Sequence, residues 1–184
     1  MLLLDESGFL MAPLVRRGWA LRGQPPALEQ KVGHREKVSV AAGLWLTPRR
    51  DRLGLAFQTL ANGYFDNVAM AEFLEAGLQG LDGPIVAIWD RGSMHKGGPL
   101  PELVARSEGR LSLEPLPAYA SRLMPVEQVW TWLKYDRLYN FAPANAHHLE
   151  QVVTCELDAI REDQQRLRNF FHASDLPLPR TLLF

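Results

Sequence analysis

Residues 83–90 read GPIVAIWD. A short apolar run stands there between a Gly-Pro pair and an acid. It is too short for a buried helix and shows no polar alternation, so it predicts a buried strand. Strands of this kind belong to parallel sheets covered by helices on both faces. The chain must therefore supply neighbouring strands and covering helices, and the rest of the sequence can be searched for them.

The N-terminus offers the first neighbour. In LLLDESGF, Leu2 to Leu4 predict the end of a buried strand. Asp5, Glu6, Ser7 and Gly8 follow, and Asp, Ser and Gly all favour a turn. The alternative is a metal ligand held at a strand. Side chains alternate along a strand, so Asp5 and Glu6 point to opposite sides and only one can serve. KVSVAAGLWLTP, in the 31–48 region, alternates as a strand, and RLGLAFQTLANG after the turn-like TPRRD predicts its hairpin partner. FDNVAMAEFLEAGLQGL has Val68, Phe73, Leu74 and Leu78 at helical spacing, with Asp66 or Asn67 as the cap. PLPELVARSEG predicts a short helix and RLSLEPL a short strand. PVEQVWTWLKYDRL predicts a helix with Pro125 in its first turn. From about Ala144 to His172, Leu149, Val152, Val153, Leu157, Ile160, Leu167, Phe170 and Phe171 predict one long amphipathic helix. Strand, hairpin, helix, strand, helix, strand, helix, helix is the order of an α/β or α+β domain with a mixed sheet flanked by helices.

The composition is that of an ordinary globular chain: 47% hydrophobic and 22% charged, with a formal net charge of −1. That balance gives no global basic signal for nucleic acid. Residues 1–60 nevertheless carry nine Lys and Arg against five Asp and Glu, so the front of the chain is basic. No apolar run approaches the roughly 18 residues of a membrane span, so no membrane association is expected. The single cysteine, Cys155, excludes an intramolecular disulfide framework and a cysteine-rich zinc site. It is expected to be a buried core thiol in a cytoplasmic protein. Residues 1–184 are expected to form one domain, with a tail from about 174 loosely packed.

Three acids stand out by position. Asp5 sits at the first strand. Asp90 closes IVAIW at its C-terminal end, where ligand sites of α/β sheets gather. Glu127 lies in the first turn of its helix, beside the apolar face formed by Val126, Val129, Trp130 and Leu133. The helix N-terminus favours its ionised form. Three carboxylates at one point need a cation, and hard oxygen ligands select Mg²⁺ or Mn²⁺. Trp130 reads as core; Trp132, two residues on, faces another side. His147 and His148, at a helix start without partner cysteines, read as structural.

LLLDESGF, APLVRRGWALRGQPP, IWDRGSMHKG and LPAYASRLMPVEQVWTWLKY, in that order, resemble the catalytic domain of mariner-type bacterial insertion-sequence transposases, which are DDE superfamily endonucleases. The resemblance runs from about residue 1 to 172. The 37-residue step from Asp90 to Glu127 is similar to that family's interval between its second and third acids. The resemblance implies an RNase H-like fold, with Asp5, Asp90 and Glu127 catalytic and binding two Mg²⁺ ions, Mn²⁺ substituting. It implies hydrolysis of a DNA phosphodiester, then attack of the freed 3′-hydroxyl on target DNA. It assigns Arg16, Arg17, Arg22 and Lys96 to DNA-backbone contacts, which position DNA without reading sequence. His95 matches the histidine of the family's block after the second Asp, as a residue supporting the site.

The sequence departs from the family at several points. Arg91 stands where the family usually has Asn, and a guanidinium beside Asp90 could compete with Mg²⁺. Ser121 and Met124 replace the common Pro and Asn before the third acid, and Met124 cannot cap the helix carrying Glu127, a loss of about 1 kcal/mol. The family's helix-turn-helix modules are not seen before the first strand, so an upstream DNA-binding polypeptide or a frameshift fusion is expected to supply end recognition. The expected function is Mg²⁺-dependent cleavage and strand transfer at insertion-sequence ends, by a homodimer assembled on transposon-end and target DNA in the bacterial nucleoid. The alternatives are an inactive remnant that binds DNA or a partner, and an RNase H-like nuclease acting on RNA–DNA hybrids.

Overall fold

The computed structural model describes residues 1–24, 27, 36–49, 51–90, 98–117 and 120–176. Five strands form one sheet: β1 (Leu2–Leu10), β2 (Lys37–Leu46), β3 (Leu53–Ala61), β4 (Ile85–Trp89) and β5 (Leu111–Pro115). Their order is β3-β2-β1-β4-β5. The first three are antiparallel, and β4 runs parallel to both β1 and β5. The helices are α1 (Asn67–Gly80), α2 (Leu100–Arg106), α3 (Val126–Trp132), α4 (Ala146–Glu162) and α5 (Gln164–Ala173). GPIVAIWD does form a parallel strand, but only one of its faces is fully covered: Ile85, Ala87 and Trp89 are buried, Ile88 is half-buried and Val86 is exposed.

The pleat of β1 divides the core in two. Leu2 and Leu4 face α1 and α2, packing with Phe73, Leu74, Ala87 and Leu103. Leu3 and Phe9 face the other layer, packing with Val129, Trp130, Leu157 and Phe171 of α3, α4 and α5. Among the described residues, no helix is long and apolar enough to cross a membrane.

Four expectations are corrected here. β1 does not end at Leu4: β2 pairs with it from Leu2↔Trp45 to Leu10↔Lys37, which carries the strand through Asp5 and Glu6. The C-terminal helix is two helices. Asp163 breaks the run and caps the second, accepting from the Arg166 backbone N–H at 2.9 Å. Cys155 is exposed, because the buried stripe of α4 is Leu149, Val153, Leu157 and Ile160 and Cys155 lies about 200° round from Val153. Val68 is exposed too; Asp66 caps α1, and the buried face is Met70, Ala71, Phe73 and Leu74. At the C-terminal end, Leu176 packs on the core and the Asp175 backbone N–H donates to Arg122 O at 2.8 Å. Residues 177–184 lie outside the described residues.

Candidate active site

Asp5 sits in the middle of β1 on the face turned to α3. β4 accompanies β1 only through Leu2↔Ala87 and Leu3↔Ile88. In sequence, Asp90 is two residues past Ile88 as Asp5 is two past Leu3, and it lies just beyond the end of β4. The parity that puts Leu3 against the α3 layer also assigns Asp5 to that face. β4 ends at Trp89 while β1 continues, so β1 loses its β4 neighbour beside Asp5. Glu6 takes the opposite face, as alternation requires.

α3 lies along β1 and makes two polar bonds to it. The Trp130 indole N–H donates to Asp5 Oδ2 at 2.7 Å. The Lys134 ammonium donates to Ser7 Oγ at 2.8 Å and lies 5.4 Å from the centre of the Phe9 ring. Phe9 meets Trp130 edge-on, with ring centres 6.1 Å apart. Lys134 belongs to a π-helical turn, Leu133–Arg137, closed by Leu138 N–H to Leu133 O at 2.8 Å. This turn ends the helix, as π-type turns at helix C-termini commonly do.

The electrostatics converge on the same place. Burial pushes the Asp5 carboxyl up to about 7, with the negative charges of Glu127 and Glu6 adding to the rise and the Trp130 hydrogen bond opposing it. Burial holds Lys134 below the ordinary lysine range, with Glu127 and Asp5 pulling it back. Asp5, Glu127 and Lys134 therefore lie near enough to influence one another, with Glu127 on the exposed side of the first turn of α3. Asp90 is exposed at the end of β4. Among the described residues, no three His, Cys, Asp or Glu side chains are drawn close enough to hold a metal ion.

The remaining expected site residues divide. Arg16, though exposed, is bonded to the chain after α3: its backbone N–H donates to Asn140 Oδ1 at 2.9 Å, its guanidinium donates to Tyr135 O, and it lies 3.5 Å from Asp136. This moors the segment after β1 to the π-helical turn. Arg17 and Arg22 are exposed on that segment. Arg91, His95 and Lys96 lie outside the described residues. Met124 is not the capping position of α3. Pro125 is, with no side-chain cap bond, and Met124 is 3% exposed in the core. Trp130 is core, as its helical spacing implies, and also an Asp5 partner, which spacing does not reveal. Lys134 was missed; its signal is its place seven residues after Glu127, on the same helical face. His148 belongs to the start of α4, where Asn145 accepts from its backbone N–H at 2.8 Å.

A cavity of about 210 Å³ opens beside Lys134, lined by Phe9, Leu14, Tyr135, Leu138 and Phe141 among others. A larger groove, about 830 Å³, lies between β3 and α1 and includes none of the three acids.

Comparison with known proteins agrees with this architecture. A family model described as DDE superfamily endonuclease matches residues 1–150. No curated protein matches the chain. Among solved structures, the Mos1 strand transfer complex superposes with a TM-score of 0.66 at 14% identity, covering 96% of this chain and 51% of that one. The Mos1 mariner paired end complex with Mn gives 0.66 at 14% identity, covering 96% and 52%. The catalytic domain of Mos1 mariner transposase gives 0.57 at 11%, covering 96% and 76%. The chain thus spans about half the length of the complexes it matches. These likenesses establish the fold, a mixed five-stranded RNase H-like sheet flanked by helices.

Proposed function

The chain belongs to the DDE superfamily endonuclease family, and on that membership we propose that it is the catalytic part of a transposase, cleaving DNA and transferring strands with Asp5, Asp90 and Glu127. The observation that supports this most is the Asp5–Glu127 pair. Two carboxylates from different elements, one buried on β1 and one exposed on α3, are near enough to act on each other, and Asp90 follows the strand that runs parallel to β1.

The donor set has the chemistry that a hard divalent cation takes, three carboxylates, though these are not drawn into one cluster among the described residues. Without one, Asp5 holds its proton to about pH 7, and a cation would replace that proton as the counter-charge. Mg²⁺ suits all-oxygen ligands, and Mn²⁺ substitutes. Bound as a pair, such ions supply activation of the attacking oxygen and stabilisation of the leaving oxygen in displacement at phosphorus. Asp5 from β1, Glu127 from α3 and Asp90 after β4 would hold the ion. Lys134 places a positive charge beside Asp5 and Glu127 and limits their repulsion. Exposed Arg17 and Arg22 carry the basic character of the segment after β1 and are assigned to backbone phosphates, as is Lys96. Arg16 is assigned to mooring that segment, with His95 and Arg91 beside the second acid in sequence.

On this reading DNA is the substrate, two ends require a dimer on DNA, and an upstream polypeptide or fusion reads the ends of a bacterial insertion sequence. The test is Mn²⁺-supported nicking of supercoiled DNA by wild type, Asp90→Asn and Glu127→Gln. Loss of nicking by at least a hundredfold in both variants is expected, and nicking unchanged in either refutes the assignment. A second reading, an inactive remnant that binds DNA, is favoured by the absence of a three-acid cluster among the described residues and by the missing side-chain cap on α3. DNA retardation without metal dependence, together with no cleavage by wild type, selects it.

A further inference from the structure

The bonds between α3 and β1 have a periodicity that bears on how the acids are aimed. Trp130 and Lys134 are four residues apart on the helix, a rise of about 6.0 Å. Their partners, Asp5 and Ser7, are two residues apart on the strand, about 6.7 Å. The two spacings nearly match, so both bonds form together only when α3 lies along β1 in one register. Phe9, two residues further on, closes the row by contacting both the Trp130 ring and the Lys134 ammonium.

α3 needs such an external register. It runs only from Val126 to Trp132 before the π-helical turn, and its N-terminus has no side-chain cap bond. Glu127 precedes Trp130 by three residues, so it lies on the neighbouring turn of the same face. Whatever fixes Trp130 against Asp5 therefore also fixes Glu127 relative to Asp5.

Resting on the proposed function, we propose that Trp130 is a positioning residue: its indole N–H pins Asp5 Oδ2, ties the β1 acid to the helix carrying Glu127, and so fixes the orientation in which the Asp5 carboxylate would meet the cation. The chemistry of the group suits this. An indole N–H donates and never accepts, so it holds a carboxylate oxygen in one role. Trp130 is 4% exposed, so water does not replace Asp5 as its acceptor. Partners that orient a metal ligand in this way typically change metal affinity by 10–100-fold when lost.

The experiment compares Mn²⁺ affinity by calorimetry in wild type, Trp130→Phe and Phe9→Leu. Trp130→Phe keeps an aromatic ring and loses the N–H; Phe9→Leu disturbs the same ring contact and keeps the N–H. The expected result is at least tenfold weaker Mn²⁺ binding in Trp130→Phe and a change within twofold in Phe9→Leu. Equal affinity in wild type and Trp130→Phe, or an equal loss in both variants, overturns the proposal. The ¹⁵N–¹H indole spectrum of the wild type supplies a reading that needs no variant to fold. The Trp130 N–H is expected to exchange with D₂O at least a hundredfold more slowly than that of Trp19, which is fully exposed. Exchange at the Trp19 rate also overturns it. A wild type that binds no Mn²⁺ refutes the metal reading of the site, while indole protection in that protein still upholds the bond to Asp5.

Discussion

Asp5 concentrates the physics of this protein in one side chain. It is a buried carboxyl whose ionisation is opposed by burial and by the charges of Glu127 and Glu6, and favoured by its bonds from Trp130 and from the Glu6 backbone. Its folded pKa of about 7 lies above the ordinary 3.8, so the protonated form is favoured in the folded state. Its contribution to stability is complete below about pH 4 and is lost as pH rises through 7. Asp5→Asn should therefore flatten the pH dependence of unfolding between pH 4 and 7 in metal-free protein, measured by urea denaturation. A profile that keeps the wild-type slope there would contradict the assigned pKa. Metal must displace that proton, so Mn²⁺ affinity should fall by up to about tenfold per pH unit below 7. Affinity constant from pH 5 to 8 would show that Asp5 is not a ligand. Lys134→Met removes the donor to Ser7 and the counter-charge between the acids, and should cost about 1.5–3 kcal/mol in urea unfolding at pH 8. Asp5 and Glu127 are legible as residues because each is an acid at the edge of an apolar pattern. The Trp130–Asp5 bond is not, since helical periodicity marks Trp130 only as core. Lys134 hides in LKYDR, where a basic residue reads as solvated surface.

At the scale of elements, α3 is held by what it touches rather than by its own ends. Met124 shows this: a residue expected to be a poor cap lies buried among the side chains of the α3–α5 layer. Met124→Ala should destabilise by about 2–5 kcal/mol through the cavity it leaves, read as a lowered urea midpoint. A midpoint within error of the wild type would mean that the site collapses around the smaller side chain. The break between α4 and α5 follows the opposite logic, because a local cap decides it. Asp163 accepts from the Arg166 backbone N–H at 2.9 Å, and the same side chain meets the Arg166 guanidinium at 3.0 Å. Replacing it with Ala should cost about 1 kcal/mol. That break was written in the sequence as an Asp before QQR, but the apolar spacing continues across it and masks it. Apolar spacing likewise reports strand β1 poorly beyond Leu4, where Asp5, Glu6 and Ser7 are polar and the strand survives on its pairing with β2.

For the whole molecule, the order of elements was legible because each apolar run is short and bounded by Gly, Pro or an acid. The strand order β3-β2-β1-β4-β5 was not, beyond the hairpin and the parallel character of β4, because pairing between distant segments leaves no local pattern. That topology does the functional work proposed here. It sets β1 beside β4, stops β4 short, and lays α3 over the exposed stretch of β1. The Mos1 structures share this fold. Asp90 is the acid that tests it most severely, since it follows the end of β4 and no three-acid cluster is closed among the described residues. The most direct measurement is the thermal unfolding midpoint against Mn²⁺ concentration, for wild type and Asp90→Asn. A ligand that binds only the folded state adds about 2.7 kcal/mol at a hundred times its dissociation constant. The account predicts a rising midpoint in the wild type that Asp90→Asn lacks. An equal rise in both proteins, or none in either, would contradict it.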